Sequence, residues 1–125
     1  MSDKTNGWIG VDLDGTLAHY DGWKGVEHIG EPIRPMLDRV KKWIAAGKSV
    51  RIFTARVCRN EPIVVHHIHN WCERHIGQRL EVTNVKDYGM IELWDDRAVA
   101  VEVNTGCITS QRRRVEADNL EMSGK

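Results

Sequence analysis

Short runs of hydrophobic residues recur along the chain and are separated by polar, glycine-containing segments. The first run, "WIGVDL", is apolar almost throughout, as expected for a strand that is buried on both faces of a sheet. It stops at two acidic residues, Asp12 and Asp14. Five such runs predict five strands, over residues 8–13, 49–55, 80–85, 90–94 and 98–103.

Two segments between these runs have the periodicity of amphipathic helices. Apolar residues recur at helical spacing over residues 33–44, and Gly47 follows where a C-terminal cap is expected. A second stripe extends over residues 62–76 and ends at Gly77. Strands that alternate with helices predict an α/β domain with a three-layer, doubly wound (Rossmann-like) and mostly parallel sheet.

Length and composition are those of one soluble domain. The chain has 125 residues, of which 41% are hydrophobic. We expect the core to span residues 1–104 and a polar tail, which contains Arg112–Arg114, to span residues 105–125. Eighteen basic and 18 acidic residues give zero net charge, so any attraction to phosphate must be local. Three widely spaced cysteines and the lack of a leader or a membrane-spanning run predict a cytoplasmic protein.

Polar side chains stand at the ends of four predicted strands. Asp12 and Asp14 end the first strand, Thr54 ends the second, Lys86 follows the third, and Asp95 and Asp96 end the fourth. Ligands of parallel sheets bind at the carboxyl ends of the strands, so these groups are expected to converge on one crevice. Crowded carboxylates repel one another unless a divalent cation lies among them, and oxygen-only ligation favours Mg²⁺.

Such a crevice is suited to phosphoryl transfer. A carboxylate beside Mg²⁺ can attack phosphorus, which would convert Asp12 into an aspartyl-phosphate. Asp14, two residues on, can protonate the leaving oxygen and later deprotonate the attacking water. Thr54 can donate to a phosphoryl oxygen, and Lys86 can neutralise the charge that develops during transfer.

On these residues the chain resembles the haloacid dehalogenase-like (HAD) superfamily of phosphohydrolases. "DLDGTL" is similar to the first motif of that family, DxDxT, and "RIFTAR", "TNVKD" and "ELWDDRA" are similar to the second, third and fourth motifs, in the same order. The resemblance implies that Asp12 is the nucleophile and Asp14 the acid/base. It also implies Mg²⁺ ligands: the Asp12 side chain, the Asp14 backbone carbonyl and Asp95, with Asp96 bound directly or hydrogen-bonded behind them.

The spacing of the motifs leaves no room for a cap domain, so the chain resembles capless members of the family, whose site stays open. The loop after the first motif, residues 17–31, is then expected to supply substrate contacts. Its candidate residues are His19, Tyr20, Trp23 and Lys24. Arg56 and Arg97 are placed to bind a phosphate or carboxylate of the substrate. An open site also favours a homo-oligomer in which a neighbouring subunit acts as the lid.

These features predict a Mg²⁺-dependent phosphomonoesterase that hydrolyses a small phosphorylated substrate through an aspartyl-phosphate on Asp12. Alternatives are a receiver-like signalling module, a catalytically silent protein that binds a phosphorylated ligand, and a phosphotransferase with the same intermediate. The late position of "WDD" argues against the receiver, and Asp14 argues against the silent binder. A phosphorylated nucleic-acid end stays open as a substrate, although zero net charge argues against tight, salt-dependent nucleic-acid binding.

Overall fold

The computed structural model describes residues 7–109, which form one parallel sheet and two α-helices. The elements are β1 (Trp8–Val11), α1 (Arg34–Ala45), β2 (Ser49–Phe53), α2 (Pro62–His75), β3 (Glu81–Thr83) and β4 (Met90–Trp94). The strand order is β3-β2-β1-β4, and each neighbouring pair is parallel. This arrangement confirms the predicted α/β fold with a Rossmann-like parallel sheet.

Both helices begin and end where the sequence pattern predicts. Each has a proline in its first turn, where the missing N–H removes no helical hydrogen bond. After α1 the chain turns at Gly47 (φ 83°), and after α2 it turns at Gly77 (φ 102°). Glycine adopts this left-handed backbone conformation without a steric penalty, so both residues can end a helix in a tight turn.

The hydrophobic core lies between the two helices and one face of the sheet. Ile9 and Val11 of β1 alternate with outward neighbours and point to the same face as Val50 and Ile52 of β2. The buried residues of α1 and α2 belong to the same cluster; they are Met36, Leu37, Val40, Val64, Ile68, Trp71 and Cys72. Both helices therefore cover one face.

The other face of the sheet carries Trp8, which is nearly inaccessible to solvent although no helix lies over it within residues 7–109. The Arg51 guanidinium stacks over the Trp8 ring at 4.4 Å, and the Phe53 ring lies 6.5 Å from it. The described part of the protein thus shows a sheet with helices on one side, and side chains of the sheet itself shield the opposite side. The parallel sheet is as predicted, but residues 7–109 form two layers rather than the predicted three, because no helix connects β3 to β4.

The predicted fifth strand is wrong. Residues 98–103 do not join the sheet; the chain there folds back on itself, with a single bridge between Val101 and Ile108. Val103 is 79% exposed and Val101 is 58% exposed, so the alternating valines do not contribute to the core. Residues 110–125, with the predicted Arg112–Arg114 part of the tail, lie outside the described residues.

No helix within residues 7–109 has the length and apolar character needed to cross a membrane. The three cysteines carry free thiols, exposed at Cys58 and Cys107 and buried at Cys72. Burial raises the pKa of the Cys72 thiol to about 11, so this thiol is protonated and unreactive at neutral pH.

Candidate active site

The acidic residues converge because β1 and β4 are parallel neighbours. Val11 is paired with Trp94, and the Asp12 N–H donates to the Trp94 carbonyl at 2.9 Å. The two strands therefore end side by side, and Asp12 leaves the sheet next to Asp95. Carboxylate oxygens of Asp12, Asp95 and Asp96 all lie within 4.8 Å of one another. The structure thus brings together three of the four predicted metal ligands through their side chains.

Burial and the neighbouring carboxylates both disfavour the ionised form of Asp12. Burial, a side-chain hydrogen bond with Asp96 and the charges of Asp95 and Asp96 raise the pKa of Asp12 to about 8, and the Thr16 hydroxyl opposes this shift only weakly. The carboxylates cannot all be ionised at neutral pH unless a cation compensates them. A cluster of close oxygen donors with excess negative charge fits a hard divalent cation, so these residues would hold Mg²⁺.

The turn after Asp14 ties the cluster together. Thr16 Oγ1 accepts a hydrogen bond from the Asp96 N–H at 2.9 Å, and it lies 2.9 Å from Asp96 Oδ1 and 3.3 Å from Asp12 Oδ2. Gly15 precedes it with φ 94°, and a Cβ atom there would lie 2.8 Å from Asp96 Oδ2. The sequence analysis assigned no role to either residue, although both belong to the "DLDGTL" motif.

The cluster opens into a cavity of about 790 Å³, a size typical of small-molecule sites. The predicted residues that line it are Asp12, Asp14, Tyr20, Trp23, Thr54, Arg56, Asp95, Asp96 and Arg97. Polar and charged residues that the sequence analysis did not single out line it too; they are Cys58, Arg59, Glu61 and Asn84. Their positions depend on the path of the chain after β2 and β3, which local sequence patterns do not specify.

Thr54 is a buried polar residue at the end of β2, with 3% of its surface exposed. Its N–H donates to the Thr83 carbonyl at 2.9 Å, and its hydroxyl oxygen accepts from the Arg56 N–H at 3.1 Å. No other protein group in residues 7–109 bonds this hydroxyl, so its hydrogen is available to a ligand in the cavity. The placement suits the predicted role of Thr54 as a phosphate donor.

Arg56 forms an ion pair with Asp14 and does not have a free guanidinium. Its Nε lies 2.7 Å from Asp14 Oδ2 and its Nη2 lies 2.9 Å from Asp14 Oδ1. Nη2 also donates to the His28 carbonyl at 2.9 Å, and the guanidinium stacks over Trp23 at 4.9 Å. Arg56 thus lines the cavity as predicted, but protein groups occupy most of its hydrogen-bond donors, and direct binding of the substrate by Arg56 stays a prediction.

The substrate loop, residues 17–31, is closed at its base by hydrogen bonds. The His19 N–H donates to the Glu31 carbonyl at 2.8 Å, and the Trp71 indole donates to the Gly30 carbonyl at 2.9 Å. Of the predicted contacts on this loop, Tyr20 and Trp23 line the cavity. His19 and Lys24 do not, and the Lys24 ammonium pairs with Asp21 at 3.0 Å.

Lys86 lies in the loop between β3 and β4, exposed and outside the set of residues that line the cavity. Asn84 of the same loop lines the cavity instead. The loop is fixed by Asp87, which accepts from the Trp8 indole and from the Gly89 N–H, both at 2.8 Å. These donors and Arg51 lower the pKa of Asp87. The predicted catalytic position of Lys86 is thus not what the structure shows.

Arg97 follows the acidic pair and lines the cavity with an exposed side chain. Its backbone N–H donates to Asp95 Oδ1 at 2.7 Å, which holds one carboxylate of the cluster in place. No ion pair of its guanidinium occurs within residues 7–109. Arg97 therefore lines the cavity, as its position in the sequence predicts, and its binding of an anionic group stays a prediction.

No protein-family model matches the chain, and no curated protein matches it. Among solved structures, it is similar to a conserved protein from Bacteroides thetaiotaomicron, with 19% sequence identity and a TM-score of 0.55. The match covers 95% of this chain and 92% of the other. At this level of identity the similarity shows a shared fold.

Proposed function

We propose that the protein is a Mg²⁺-dependent phosphomonoesterase of the HAD type that works through an aspartyl-phosphate on Asp12. The observation that carries this proposal is the convergence of Asp12, Asp95 and Asp96, with carboxylate oxygens within 4.8 Å of one another. Asp14 and Thr54 line the same cavity. The order of the four sequence motifs supports the same reaction class.

Bound Mg²⁺ would neutralise the phosphate and orient it for in-line attack. The Asp12 carboxylate attacks phosphorus while the bond between phosphorus and the leaving oxygen breaks. Asp14, whose carboxyl group contacts Arg56, has to carry a proton for this step; it gives that proton to the leaving oxygen, and the alcohol departs. Water then attacks the phosphorus and transfers a proton to Asp14. The bond between Asp12 and phosphorus breaks, inorganic phosphate leaves, and both carboxyl groups return to their starting states.

Other residues of the cavity would hold the transferred group. The Thr54 hydroxyl has a hydrogen to donate to a phosphoryl oxygen, and the exposed Arg97 guanidinium supplies a positive charge at the mouth of the cavity. Lys86 can take part only if its long side chain reaches in from the neighbouring loop. We assign the neutralising role first to Arg97.

The cavity favours a small phosphorylated molecule as the substrate. Its volume of about 790 Å³ suits a ligand of that size, and Tyr20 and Trp23 offer aromatic surface beside the charged groups. The free thiols support a cytoplasmic location. The open mouth of the cavity supports a homo-oligomer in which a second subunit covers it.

The proposal is tested by measuring phosphate release from a panel of phosphate monoesters with Mg²⁺ and with excess EDTA. We expect turnover that requires Mg²⁺ and that falls by at least about a hundredfold in Asp95→Asn, because a ligand oxygen loses its charge. Asp38→Asn is the matched control, since Asp38 is exposed on α1 and lies outside the cavity. Turnover that is indifferent to both EDTA and Asp95→Asn would contradict the proposal.

A further inference from the structure

The Asp14 carboxylate is held by one residue. Both of its oxygens accept from Arg56, at 2.7 Å and 2.9 Å. No other side-chain or backbone donor bonds this carboxylate within residues 7–109. Asp14 lies in the turn after β1 rather than in the strand, so the sheet does not orient its side chain. The orientation of the carboxylate therefore depends on the guanidinium.

Arg56 is in turn fixed by the substrate loop. Its side chain is 5% exposed, and its Nη2 and Nη1 atoms donate to the carbonyls of His28 at 2.9 Å and Val26 at 3.4 Å. The Trp23 ring lies against the guanidinium at 4.9 Å. The planar fork of arginine can make these contacts at the same time, whereas a lysine ammonium is a compact point charge. One side chain thus joins the acid/base candidate to the loop over the cavity.

We propose that Arg56 is a positioning residue that holds Asp14 for proton transfer and couples that position to the substrate loop, residues 17–31. This inference rests on the proposed function, because it assigns Asp14 the acid/base role. Arg56 acts through Asp14 and through the loop, and it does not bind the phosphate. Small displacements of a proton donor reduce rates steeply, so loss of Arg56 lowers the rate of the step that needs the proton.

A phosphate-binding role and a positioning role predict different kinetics. Loss of a phosphate-binding arginine weakens the binding of every substrate and raises KM for all of them. Loss of a positioning residue lowers kcat, and it does so most for substrates whose leaving oxygen needs a proton. Two substrates of similar size separate these cases: para-nitrophenyl phosphate has a good leaving group, and para-nitrobenzyl phosphate has a poor one.

The experiment measures kcat and KM for Arg56→Gln, Arg56→Lys and the control Arg39→Gln with both substrates and Mg²⁺. For Arg56→Gln we expect kcat for the nitrobenzyl ester to fall by about tenfold to a hundredfold, with a clearly smaller fall for the nitrophenyl ester. KM is expected to change by less than about threefold. Arg56→Lys should have a kcat between those of Arg56→Gln and the unmodified protein, since lysine keeps the positive charge but cannot make both hydrogen bonds to Asp14.

Arg39 is the matched control because its guanidinium also stacks on an indole, Trp94, at 5.3 Å, but it contacts no carboxylate of the cavity. Arg39→Gln therefore removes a comparable cation–π contact and should leave both rates unchanged. Thermal melting checks the fold of each variant. If Arg56→Gln does not fold, the double variant Asp14→Asn/Arg56→Gln is used, since it leaves no buried charge unpaired.

A double-mutant cycle with Asp14→Asn gives the decisive comparison. If Arg56 acts through Asp14, the double variant has the kcat of Asp14→Asn to within about threefold. Once Asp14 is replaced there is no proton donor for Arg56 to position, so removal of Arg56 has no further effect on the chemical step. Multiplicative losses of kcat, or equal losses for the two esters with a raised KM, would overturn the positioning role alone. Absence of Mg²⁺-dependent turnover in the unmodified protein would instead overturn the proposed function, and this inference with it.

Discussion

Thr16 and Asp96 are joined by hydrogen bonds although they lie 80 positions apart in the chain. The Asp96 N–H donates to Thr16 Oγ1 at 2.9 Å, and the same hydroxyl lies 2.9 Å from the Asp96 carboxylate. The turn after β1 is thereby tied to the loop after β4, on which Asp95 and Asp96 lie. These bonds hold Asp96 beside the turn that follows Asp12.

Thr16→Val should weaken Mg²⁺ binding by about tenfold, because partners of metal ligands commonly contribute that much to affinity. Valine has the shape of threonine but lacks the hydroxyl group that forms hydrogen bonds with Asp96. Thr16→Ser, which keeps the hydroxyl, is the matched control and should bind Mg²⁺ nearly as the unmodified protein does. Calorimetric titration measures all three affinities. Equal affinities for Thr16→Val and Thr16→Ser would contradict a role for the hydroxyl.

Gly15→Ala should disturb the contact between the turn after β1 and Asp96. The change introduces a Cβ at φ 94° and only 2.8 Å from Asp96 Oδ2. Gly77→Ala isolates the backbone effect, since Gly77 has φ 102° and an added Cβ would meet no atom within 4 Å. Both changes should destabilise by about 1 kcal/mol through the left-handed backbone. Gly15→Ala alone should also reduce Mg²⁺ affinity; a reduction of similar size in Gly77→Ala would refute the steric argument.

Mg²⁺ should stabilise the protein more as the pH rises. The pKa of Asp12 is raised from 3.8 to about 8, so the folded protein without metal keeps a proton that the unfolded chain has lost. Between these two values, rising pH therefore lowers the stability of the metal-free protein. Binding of Mg²⁺ requires the carboxylate form and expels that proton, so affinity increases with pH over the same interval.

Thermal melting with and without Mg²⁺ at about pH 6 and about pH 8 measures this linkage. The increase in Tm caused by Mg²⁺ should be larger at the higher pH, and the metal-free protein should melt at a lower temperature there. Asp12→Asn removes the titrating group and should flatten both trends. A Mg²⁺ effect that is the same at the two pH values in the unmodified protein would show that the proton on Asp12 is not linked to metal binding.

Asp14→Asn should lower turnover by roughly a hundred- to ten-thousandfold, the range typical of acid/base groups. The loss should be greater for para-nitrobenzyl phosphate than for para-nitrophenyl phosphate, because only the poor leaving group needs the proton at departure. Steady-state rates with both esters give the comparison. Equal losses for the two esters would count against Asp14 as the acid.

The parts of the site that lie on the sheet were accessible from the sequence. One mostly apolar run stops at Asp12 and another stops at Asp95, which indicates parallel strands whose ends meet at one edge. The position of Thr54 at the cavity was predicted in the same way, because it ends the second predicted strand. These inferences succeed because strand pairing places the ends of neighbouring strands together, whatever the loops do.

The parts that depend on loops were only partly accessible: Tyr20, Trp23 and Arg97 line the cavity as predicted, but other loop contacts were not foreseen. Arg56 follows Thr54 and was expected to bind substrate, yet its guanidinium donates to Asp14, which follows the neighbouring strand, and to the carbonyls of Val26 and His28 in the loop. Asn84 faces the cavity where Lys86 was expected, since the loop is fixed by the bond between Trp8 and Asp87. Such contacts join residues far apart in the chain, and local periodicity carries no information about them.

The run at residues 98–103 shows the same limit for secondary structure. Its alternation of valine with other residues is typical of a strand that is half buried in a sheet. The chain instead turns at Asn104 (φ 65°) and Gly106 (φ 80°) and bridges back to Ile108. Alternation predicts an extended chain, but it does not show whether the sheet has an unpaired edge strand with which that segment can pair.

The nucleophilic role of Asp12 is the claim on which the account depends, and Asp12→Asn tests it most directly. The substitution keeps the shape of the side chain and is neutral without taking up a proton, whereas Asp12 in the metal-free protein must be protonated to be neutral. The metal-free variant should therefore be at least as stable as the unmodified protein. With Mg²⁺ present, it should show no hydrolysis of para-nitrophenyl phosphate above background. Undiminished hydrolysis by a well-folded Asp12→Asn protein would contradict the account.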